Sequence, residues 1–385
     1  MGTIEPYASA KGKRYRVRYR RPDHRQTTKR GFVTKREAEQ YLATVEVAKL
    51  RGEWVDPTRS RVTVGELAEE WLAGRVRVKE STRDGYRRSL NTYVLPRWGG
   101  RRLAEVGHGE VQTWVSELAE KLAPSTVKQV FHPLRATFKY AVRDGRIIKN
   151  PTDGIQTPRN RAVKRGYLSH DQVRLLASEC GSDADLIAFL AYTGLRWGEL
   201  AALRVRSIDF ERSRVQVDES LTEVSGRLIR GTPKTHERRS VPLPLSLLIP
   251  LRARASGRGR EDPLFATSSG LELRGNNFRK RVYIPALARA QATDRSMATV
   301  TLHDLRHTAA SLAISAGANV KAVQRLLGHA SAAMTLDVYA DLFDDDLDAV
   351  ADRLDVFAQA NVARLWSSTE DGSVKPMAET KKTAG

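Results

Sequence analysis

The chain has 385 residues, of which 65 are Lys or Arg and 45 are Asp or Glu, so its formal net charge is +20. This charge predicts binding to a polyanion, and the length together with 41% hydrophobic residues predicts more than one domain. The single cysteine, Cys180, excludes an intramolecular disulfide, and the absence of any apolar stretch near the ~18 residues of a spanning helix argues against a membrane protein.

The densest positive charge lies near the N-terminus, where residues 11–36 contain twelve Lys or Arg and one acid, Asp23. Within it, residues 13–20 alternate strictly, which predicts a strand with one basic face and one apolar or aromatic face. Arginines in file repel one another unless an anion is present, so we expect this face to contact DNA rather than only water. The basic face consists of Arg14, Arg16, Arg18 and Arg20.

A second strand and a helix complete the N-terminal prediction. Residues 27–33 suit a strand, and Thr34 with Glu37 forms the capping-box pattern that opens a helix reaching about Leu50. We therefore expect a small β-sheet plus helix domain over residues 1–55.

A linker at residues 52–62 precedes a long segment whose apolar residues recur at helical spacing. We expect four helices in a domain over residues 63–150, followed by a second linker that reaches Lys164. The clearest apolar stripes are Val111, Trp114, Val115 and Leu118, and then Val127, Val130, Phe131, Leu134 and Phe138.

The C-terminal half carries polar residues whose chemistry suits a phosphate. Three short blocks, LHDLRH, LLGH and TLDVYADL, lie between residues 302 and 342 and are separated by amphipathic helical sequence. Upstream, YTGLRWGEL ends an apolar run, and GTPKTHERRSVPLP suits a hairpin. The polar residues that these blocks contribute are Arg196, Lys234, His303, Arg306, His329 and Tyr339.

This set of six, in this order, resembles the catalytic domain of the tyrosine recombinase (phage integrase) family. The resemblance implies a mainly α catalytic domain with a small antiparallel sheet over residues 165–360. It also implies that residues 63–150 form a core-binding domain and residues 1–55 an arm-type DNA-binding domain, so the expected fold is multidomain α+β. Residues 361–385 are polar, and we expect a disordered tail.

The residue types fit the cleavage of a DNA phosphodiester. Arginine can bond two phosphate oxygens and stays charged, so Arg196 and Arg306 would clamp the scissile phosphate from two sides. Tyr339 supplies a phenol as the nucleophile, and its proton must leave during the attack.

Three further residues serve proton transfer and hydrogen bonding in this scheme. His303 is the candidate for taking the tyrosine proton, and Lys234 would protonate the departing 5′ oxygen. His329 would donate a hydrogen bond to the phosphate. The product would be a 3′-phosphotyrosine, formed with no cofactor and no metal.

Other interpretations were weighed against this one. His303 and His307 have the spacing of a zinc motif, but Asp304 stands where that motif has Glu and no third ligand is evident, so a zinc hydrolase is disfavoured. Three alternatives stay open: a recombinase that resolves chromosome or plasmid dimers, a catalytically inactive DNA-binding architectural or regulatory protein of the same fold, and a type IB topoisomerase.

The resemblance implies a site-specific DNA recombinase that integrates, and in reverse excises, a phage or other mobile element. Expected partners are double-stranded DNA at core and arm-type attachment sites, further copies of the chain in a homotetramer, a host DNA-bending protein and an excisionase. We expect the protein to act in the bacterial cytoplasm at the nucleoid, with no membrane partner.

An apolar helical stripe after the tyrosine is expected to dock on a neighbouring protomer: Leu347, Val350, Ala351, Leu354 and Ala358.

Overall fold

A computed structural model describes residues 2–10, 12–21, 24–51, 54, 61–160, 166–233, 238–342, 351–352 and 354–359. The chain divides into two units, Met1–Val163 and Lys164–Gly385. Several predictions fall outside the described residues: Lys234, the tail over residues 361–385, Leu347 and Val350 of the C-terminal stripe, most of the first linker and the end of the second.

The first unit begins with three antiparallel strands in the order β1-β2-β3, followed by a helix. Their bounds are β1 (Thr3–Ser9), β2 (Gly12–Arg20), β3 (Gln26–Phe32) and α1 (Lys35–Leu50). The alternation in β2 buries Val17 and Tyr19 in a small core with Ala38 and Val45 of α1. The predicted two-faced strand is therefore confirmed, with its arginines on the face away from the helix.

The start of α1 follows the predicted capping box, whereas β1 was not predicted. Thr34 Oγ1 accepts a hydrogen bond from the Glu37 N–H at 3.1 Å, which stabilises the first turn of the helix. The sequence of β1 contains Pro6 and no clear apolar alternation, so it has little strand signal of its own. Its extended form is held by pairing with β2, where Glu5 lies opposite Arg16.

The rest of the first unit is helical. Its helices are α2 (Val64–Ala73), α3 (Glu80–Ser89), α4 (Leu95–Trp98), α5 (His108–Lys121) and α6 (Pro124–Arg143). A π-helical turn, Leu90–Val94, joins α3 to α4, so the described part of this region contains four long helical segments. The predicted stripes on α5 and α6 lie in one hydrophobic core, with Leu118 at its edge.

The second unit is mainly helical, with strands at one side. Its described helices are α7 (His170–Glu179), α8 (Ala184–Thr193), α9 (Trp197–Ala202), α10 (Leu245–Ala255), α11 (Gly275–Phe278), α12 (Ile284–Thr293), α13 (Asp304–Ser315), α14 (Val320–Leu327) and α15 (Ala332–Tyr339). Its described strands are β4 (Ile208–Asp209), β5 (Arg214–Val217), β6 (Ser220–Val224), β7 (Arg227–Gly231) and β8 (Arg239–Pro242). Strands β4, β5 and β8 form one antiparallel sheet, and β6 pairs with β7.

Helix α8 organises the packing around the candidate site. Its apolar residues, among them Leu186, Ile187, Phe189 and Leu190, are fully buried in the main core of this unit. It packs against both α7 and α13, which brings the end of α8 beside the start of α13. Within the described part of the chain, no helix has the length and apolar character needed to cross a membrane.

Candidate active site

The turn after α8 presents the first arginine. Gly194 ends the helix in the left-handed conformation, with φ of 64°, where a residue with a Cβ would be strained. The chain then reaches Arg196, which lies just before α9 and is 22% exposed. Arg196 Nη1 donates to Glu199 Oε1 at 2.9 Å, and its backbone N–H donates to Glu199 Oε2 at 3.0 Å. Glu199 therefore fixes the start of α9 and the arginine side chain together.

The second arginine lies in the first turn of α13 and is almost completely buried, with 3% of its surface exposed. Arg306 Nη1 donates to the Gly194 carbonyl at 2.6 Å, and Nη2 donates to the Leu327 carbonyl at 2.5 Å. Burial, and next the charge of Arg196, lower the pKa of the Arg306 guanidinium to about 9. Arg306 is therefore still cationic at neutral pH, in a fixed orientation.

A third arginine, Arg239 at the start of β8, joins this cluster. Its Nη2 lies 2.6 Å from Glu199 Oε2, its Nη1 donates to Glu199 Oε1 at 3.2 Å, and its side chain is 8% exposed. Burial acts to raise the pKa of Glu199, but the hydrogen bond from Arg239 and the charges of both arginines outweigh it and lower that pKa. Arg196, Arg239, Arg306 and ionised Glu199 carry three positive charges and one negative charge, so the cluster has a net positive charge that would suit an anion.

His329 lies in the turn after α14, which ends at Gly328 in the left-handed conformation. Its Nδ1 lies 3.0 Å from Thr335 Oγ1. Burial first, and then the charges of Arg306 and Arg196, lower the pKa of His329 to about 4. The imidazole is therefore neutral near pH 7, and a threonine hydroxyl that donates to Nδ1 would leave the ring proton on Nε2 for a phosphate oxygen.

Tyr339, the last residue of α15, is 1% exposed. Its ring packs among Ala310, Ile314, Val323 and Leu327 of α13 and α14. Its hydroxyl lies 2.6 Å from Nδ1 of His307. The predicted nucleophile is thus held by a hydrogen bond and shielded from solvent in the protein without DNA.

The structure brings Arg196, Arg306, His329 and Tyr339 together around the start of α13, while Lys234 lies outside the described residues. The ring of His303 lies edge to face with the ring of His307, with centroids 5.4 Å apart. The histidine in contact with the tyrosine hydroxyl is therefore His307, and the role predicted for His303 stays a prediction.

Sequence reasoning missed three residues of this site. Glu199 could have been found from the sequence, because it lies three residues after Arg196, the position of the carboxylate in a capping box. Arg239 lies in the same basic segment as Lys234, GTPKTHERRSVPLP, and nothing in that segment distinguishes it. His307 was considered only as a zinc partner of His303. The contacts of Arg239 with Glu199 and of His307 with Tyr339 have no spacing signal, because each joins separate segments of the chain.

A glutamate of the protein itself, Glu5, pairs with two of the arginines on the basic face of the N-terminal sheet. Glu5 of β1 lies 2.7 Å from Arg16 Nη2 and 3.3 Å from Arg18 Nη1. The row of arginines on β2 therefore does not require an external anion, which corrects the expectation above, because the unpredicted strand β1 supplies a carboxylate. The face as a whole stays strongly basic, since Arg14 and Arg20 extend it at either end of β2.

A basic groove of about 1250 Å³ lies in the helical part of the first unit. Three of its cationic residues, Arg135, Lys139 and Arg143, follow one another at four-residue spacing on α6. This spacing places the three on one side of the helix. Arg75 and Lys149 add two further positive charges, and Glu70 and Asp153 are the acids in the lining. The groove therefore offers a second polyanion surface, which the sequence had not singled out.

Comparisons with known proteins agree with this architecture. The model of the Phage integrase family matches residues 166–345, that of the Phage integrase central domain residues 64–157, and that of the Arm DNA-binding domain residues 8–49. An integrase of Mycobacterium phage D29 is 26% identical over 323 residues, covering 80% of this chain and 84% of that protein. A tyrosine recombinase XerC-like protein of Caldanaerobacter subterraneus subsp. tengcongensis is 28% identical over 315 residues, covering 72% of this chain and 79% of that protein.

Solved structures show the same fold. A variant of the Tn1549 transposon integrase in complex with a circular intermediate DNA matches with a TM-score of 0.66 and 25% identity, over 76% of this chain and 99% of that chain. A lambda integrase tetramer bound to a Holliday junction matches with a TM-score of 0.58 and 17% identity, over 85% of this chain and 95% of that chain. The predicted fold class, multidomain α+β with a small N-terminal sheet and a mainly α catalytic part, is confirmed.

Proposed function

We propose a residue-level mechanism for this chain, which belongs to the phage integrase family of tyrosine recombinases and is therefore a site-specific DNA recombinase. The observation that carries the mechanism is the meeting of a tyrosine hydroxyl with a buried cluster of arginines at the start of α13. A phosphate bound by that cluster would lie beside the tyrosine once the groups that cover its hydroxyl open.

In this proposal, Arg196 and Arg306 bind the non-bridging oxygens of the scissile phosphate. A guanidinium has five N–H donors, and Arg306 uses two of them to bind backbone carbonyls. These two hydrogen bonds fix the orientation of the group and leave its other N–H donors for the phosphate. Glu199 orients Arg196 and balances part of the positive charge, so the arginines can be held close together before DNA arrives.

Cleavage then exchanges one phosphoester bond for another. The Tyr339 oxygen attacks phosphorus, the bond to the 5′ oxygen breaks, and a 3′-phosphotyrosine forms. Lys234 protonates the departing 5′ oxygen, neutral His329 donates a hydrogen bond to the phosphate, and His303 assists the loss of the tyrosine proton. The covalent intermediate keeps the energy of the broken bond, so a 5′ hydroxyl from another strand can reverse the step.

A nicked suicide duplex tests this mechanism. The nick lets a short strand dissociate after cleavage, so a covalent protein–DNA adduct accumulates and is visible on a denaturing gel. We expect an adduct with the cognate core site and none with several unrelated duplexes. Adducts on all duplexes alike would favour a type IB topoisomerase, and no adduct on any native site of the element would favour an inactive DNA-binding protein.

The role of Lys234 as the acid gives a prediction of its own. Lys234→Ala should cleave a normal core duplex at least about 10²-fold more slowly, because the 5′ oxygen would leave without a proton. A duplex with a 5′-bridging phosphorothiolate should restore the rate, since sulfur leaves readily as an anion. Arg238→Ala is the neighbouring control and should need no rescue, whereas a Lys234→Ala variant that sulfur does not rescue would remove Lys234 from this role.

We further propose that the first unit binds two kinds of DNA sequence. The face of β2 with its four arginines suits an arm-type site, in keeping with the match to an Arm DNA-binding domain over residues 8–49. A major groove about 12 Å wide admits such a ribbon, and arginine can bond both phosphates and guanine. The groove lined by Arg75, Arg135, Lys139 and Arg143 suits the phosphate backbone of the core site.

Removing residues 1–60 should therefore separate the two activities. Covalent cleavage of a core suicide substrate should persist, recombination between full attachment sites should be lost, and footprints should disappear only far from the crossover. Arg14→Ala combined with Arg20→Ala, which keeps the sheet, should weaken the remote footprints and make binding there less salt-dependent. Loss of core cleavage with retention of the remote footprints would assign the sheet to the core site instead.

The biological reaction that we propose is integration and excision of a phage or other mobile element, carried out by a homotetramer on DNA in the bacterial cytoplasm. The similarity to the integrase of Mycobacterium phage D29 and the match to an Arm DNA-binding domain favour this over resolution of chromosome or plasmid dimers. A lambda integrase tetramer on a Holliday junction provides the precedent for the assembly. Native gels of the protein with a Holliday junction, and recombination assays with and without a DNA-bending protein and an excisionase, test the stoichiometry and the partners.

A further inference from the structure

His307 occupies a distinctive position next to the nucleophile. It follows Arg306 directly in α13, and its Nδ1 lies 2.6 Å from the Tyr339 hydroxyl. Ala310 and Ile314, three and seven residues further along the helix, belong to the cluster that packs against the Tyr339 ring. One face of α13 therefore holds both the ring and the hydroxyl of the tyrosine.

We propose that His307 is a further catalytic residue, which accepts the phenol proton of Tyr339 during strand cleavage and returns it during strand joining. This proposal rests on the proposed role of Tyr339 as the nucleophile. A distance of 2.6 Å between a phenol oxygen and an imidazole nitrogen is that of a short hydrogen bond, along which a proton can move without rearrangement of either ring.

Every proton that moves during cleavage returns to its original group during joining. In cleavage, the proton of Tyr339 passes to His307 Nδ1, the phenolate forms the bond to phosphorus, and the leaving 5′ oxygen takes a proton from Lys234. In joining, a 5′ hydroxyl gives its proton to Lys234 and attacks the phosphotyrosine. The departing Tyr339 oxygen then recovers the proton from His307, so no proton donor or acceptor outside the site is required.

The charges around His307 make this transfer depend on DNA. The ring of His303, just before α13, and the ring and hydroxyl of Tyr339 contact His307, and the charge of His307 acts on His329 after α14. Arg306, the neighbour of His307 in α13, belongs to the charged cluster with Arg196, Glu199 and Arg239. In this cluster three arginines face one carboxylate, Glu199. A bound phosphodiester, and the further negative charge that develops on it, offsets the arginines, and His307 can then hold the proton.

His303 would take part in this reaction indirectly, through its ring contact with His307. Ring contacts run from His303 to His307, with centroids 5.4 Å apart, and from His307 to Tyr339, with centroids 5.6 Å apart. The three rings therefore form a continuous series, through which His303 can position His307. Because Tyr339 is 1% exposed, the groups that cover its hydroxyl must open for a phosphate to enter, while the shared face of α13 keeps the two side chains together.

The test uses substitutions that keep the contact and remove the base. The Oδ1 of an asparagine can take the place of Nδ1, so His307→Asn keeps a hydrogen-bond acceptor near the phenol but cannot take its proton. Single-turnover cleavage of the suicide duplex by the full chain should fall by about 10² to 10⁴-fold, with DNA binding unchanged. The matched control is His170→Asn, since His170 Nδ1 lies 3.1 Å from the Tyr192 hydroxyl in the same unit, and it should cleave normally.

A second readout separates proton transfer from packing. In the wild type, cleavage should rise with pH and then level off, whereas in His307→Asn it should continue to rise, because only phenol that is already ionised attacks. Incorporation of difluorotyrosine at position 339, whose phenol is more acidic, should restore most of the rate to His307→Asn. The same replacement should not restore Arg196→Lys, which lacks a phosphate ligand rather than a base.

The possible outcomes distinguish an error in the role of His307 from an error in the assignment of Tyr339 as the nucleophile. If His307→Asn cleaves as fast as His170→Asn, or is slow but shows the wild-type pH profile and no gain from difluorotyrosine, His307 is a packing residue and the proposal is wrong. If His307→Asn does not fold, the pH profile of otherwise wild-type protein carrying difluorotyrosine decides: a profile unchanged by the more acidic phenol overturns the proposal. If Tyr339→Phe still forms an adduct, the nucleophile itself has been misassigned.

Discussion

Tyr339→Phe is expected to bind core-site DNA with nearly normal affinity and to form no covalent adduct on a nicked suicide duplex. The substitution removes one hydroxyl and leaves the ring in its cluster with Ala310, Ile314, Val323 and Leu327, so the surrounding packing is retained. It also leaves His307 Nδ1 without its phenol partner, and we expect a loss of about 1 to 3 kcal/mol in the free energy of unfolding.

The matched control for this experiment is Tyr192→Phe, which removes the hydroxyl that lies 3.1 Å from His170 in the same unit. That variant should form the adduct at the normal rate, because the pair lies outside the arginine cluster. A persistent adduct with Tyr339→Phe that survives denaturation and disappears on proteolysis would show that another residue attacks the phosphate.

Arg196→Lys is expected to lose most of its cleavage activity although its charge is kept. Lysine has three N–H donors on one tetrahedral nitrogen, so it cannot pair with Glu199 and also bind two phosphate oxygens in the planar, side-by-side geometry of a guanidinium. Removal of one such donor raises the barrier by roughly 2.7 to 4 kcal/mol, so single-turnover cleavage should fall by about 10² to 10³-fold.

Arg289→Lys provides the control for a change of arginine to lysine at an ion pair. Arg289 Nε lies 2.7 Å from Glu179 Oε2 on a more exposed surface, so its replacement should leave cleavage unchanged. DNA affinity at several salt concentrations should be measured for both variants. If Arg196→Lys bound DNA less tightly but cleaved bound DNA at the normal rate, Arg196 would only attract DNA and would not stabilise the reaction.

The buried state of Tyr339 also affects how these measurements are interpreted. Since the hydroxyl is shielded and held by His307, a cleavage rate includes the opening of the cover as well as the chemistry. A substitution that loosens the cluster around the ring can therefore increase cleavage of a single site. Measurement of rates on prebound DNA, with a range of pH values, separates the opening from the proton transfer.

Local patterns in the sequence were sufficient for much of the fold. The strict alternation of β2 predicted which residues face the core, and the Thr34 and Glu37 pair predicted the start of α1, because both signals involve residues within one strand or one helical turn. The stripes on α5 and α6 were predicted for the same reason. Strand β1 was missed because its extended form depends on pairing with β2 rather than on its own residues.

In the candidate site, too, local sequence determined some features and long-range packing determined the others. The sequence by itself determined the identity and order of the residues that carry the chemistry, and with them the family, since these depend only on residue type and local context. The tertiary structure alone decided that Glu199 is shared with Arg239, forty residues away, and that His307 contacts the Tyr339 hydroxyl, thirty-two residues away. His303 and His307 are one helical turn apart, so no periodicity distinguishes them; the packing of α13 against α14 and α15 determines which ring meets the phenol.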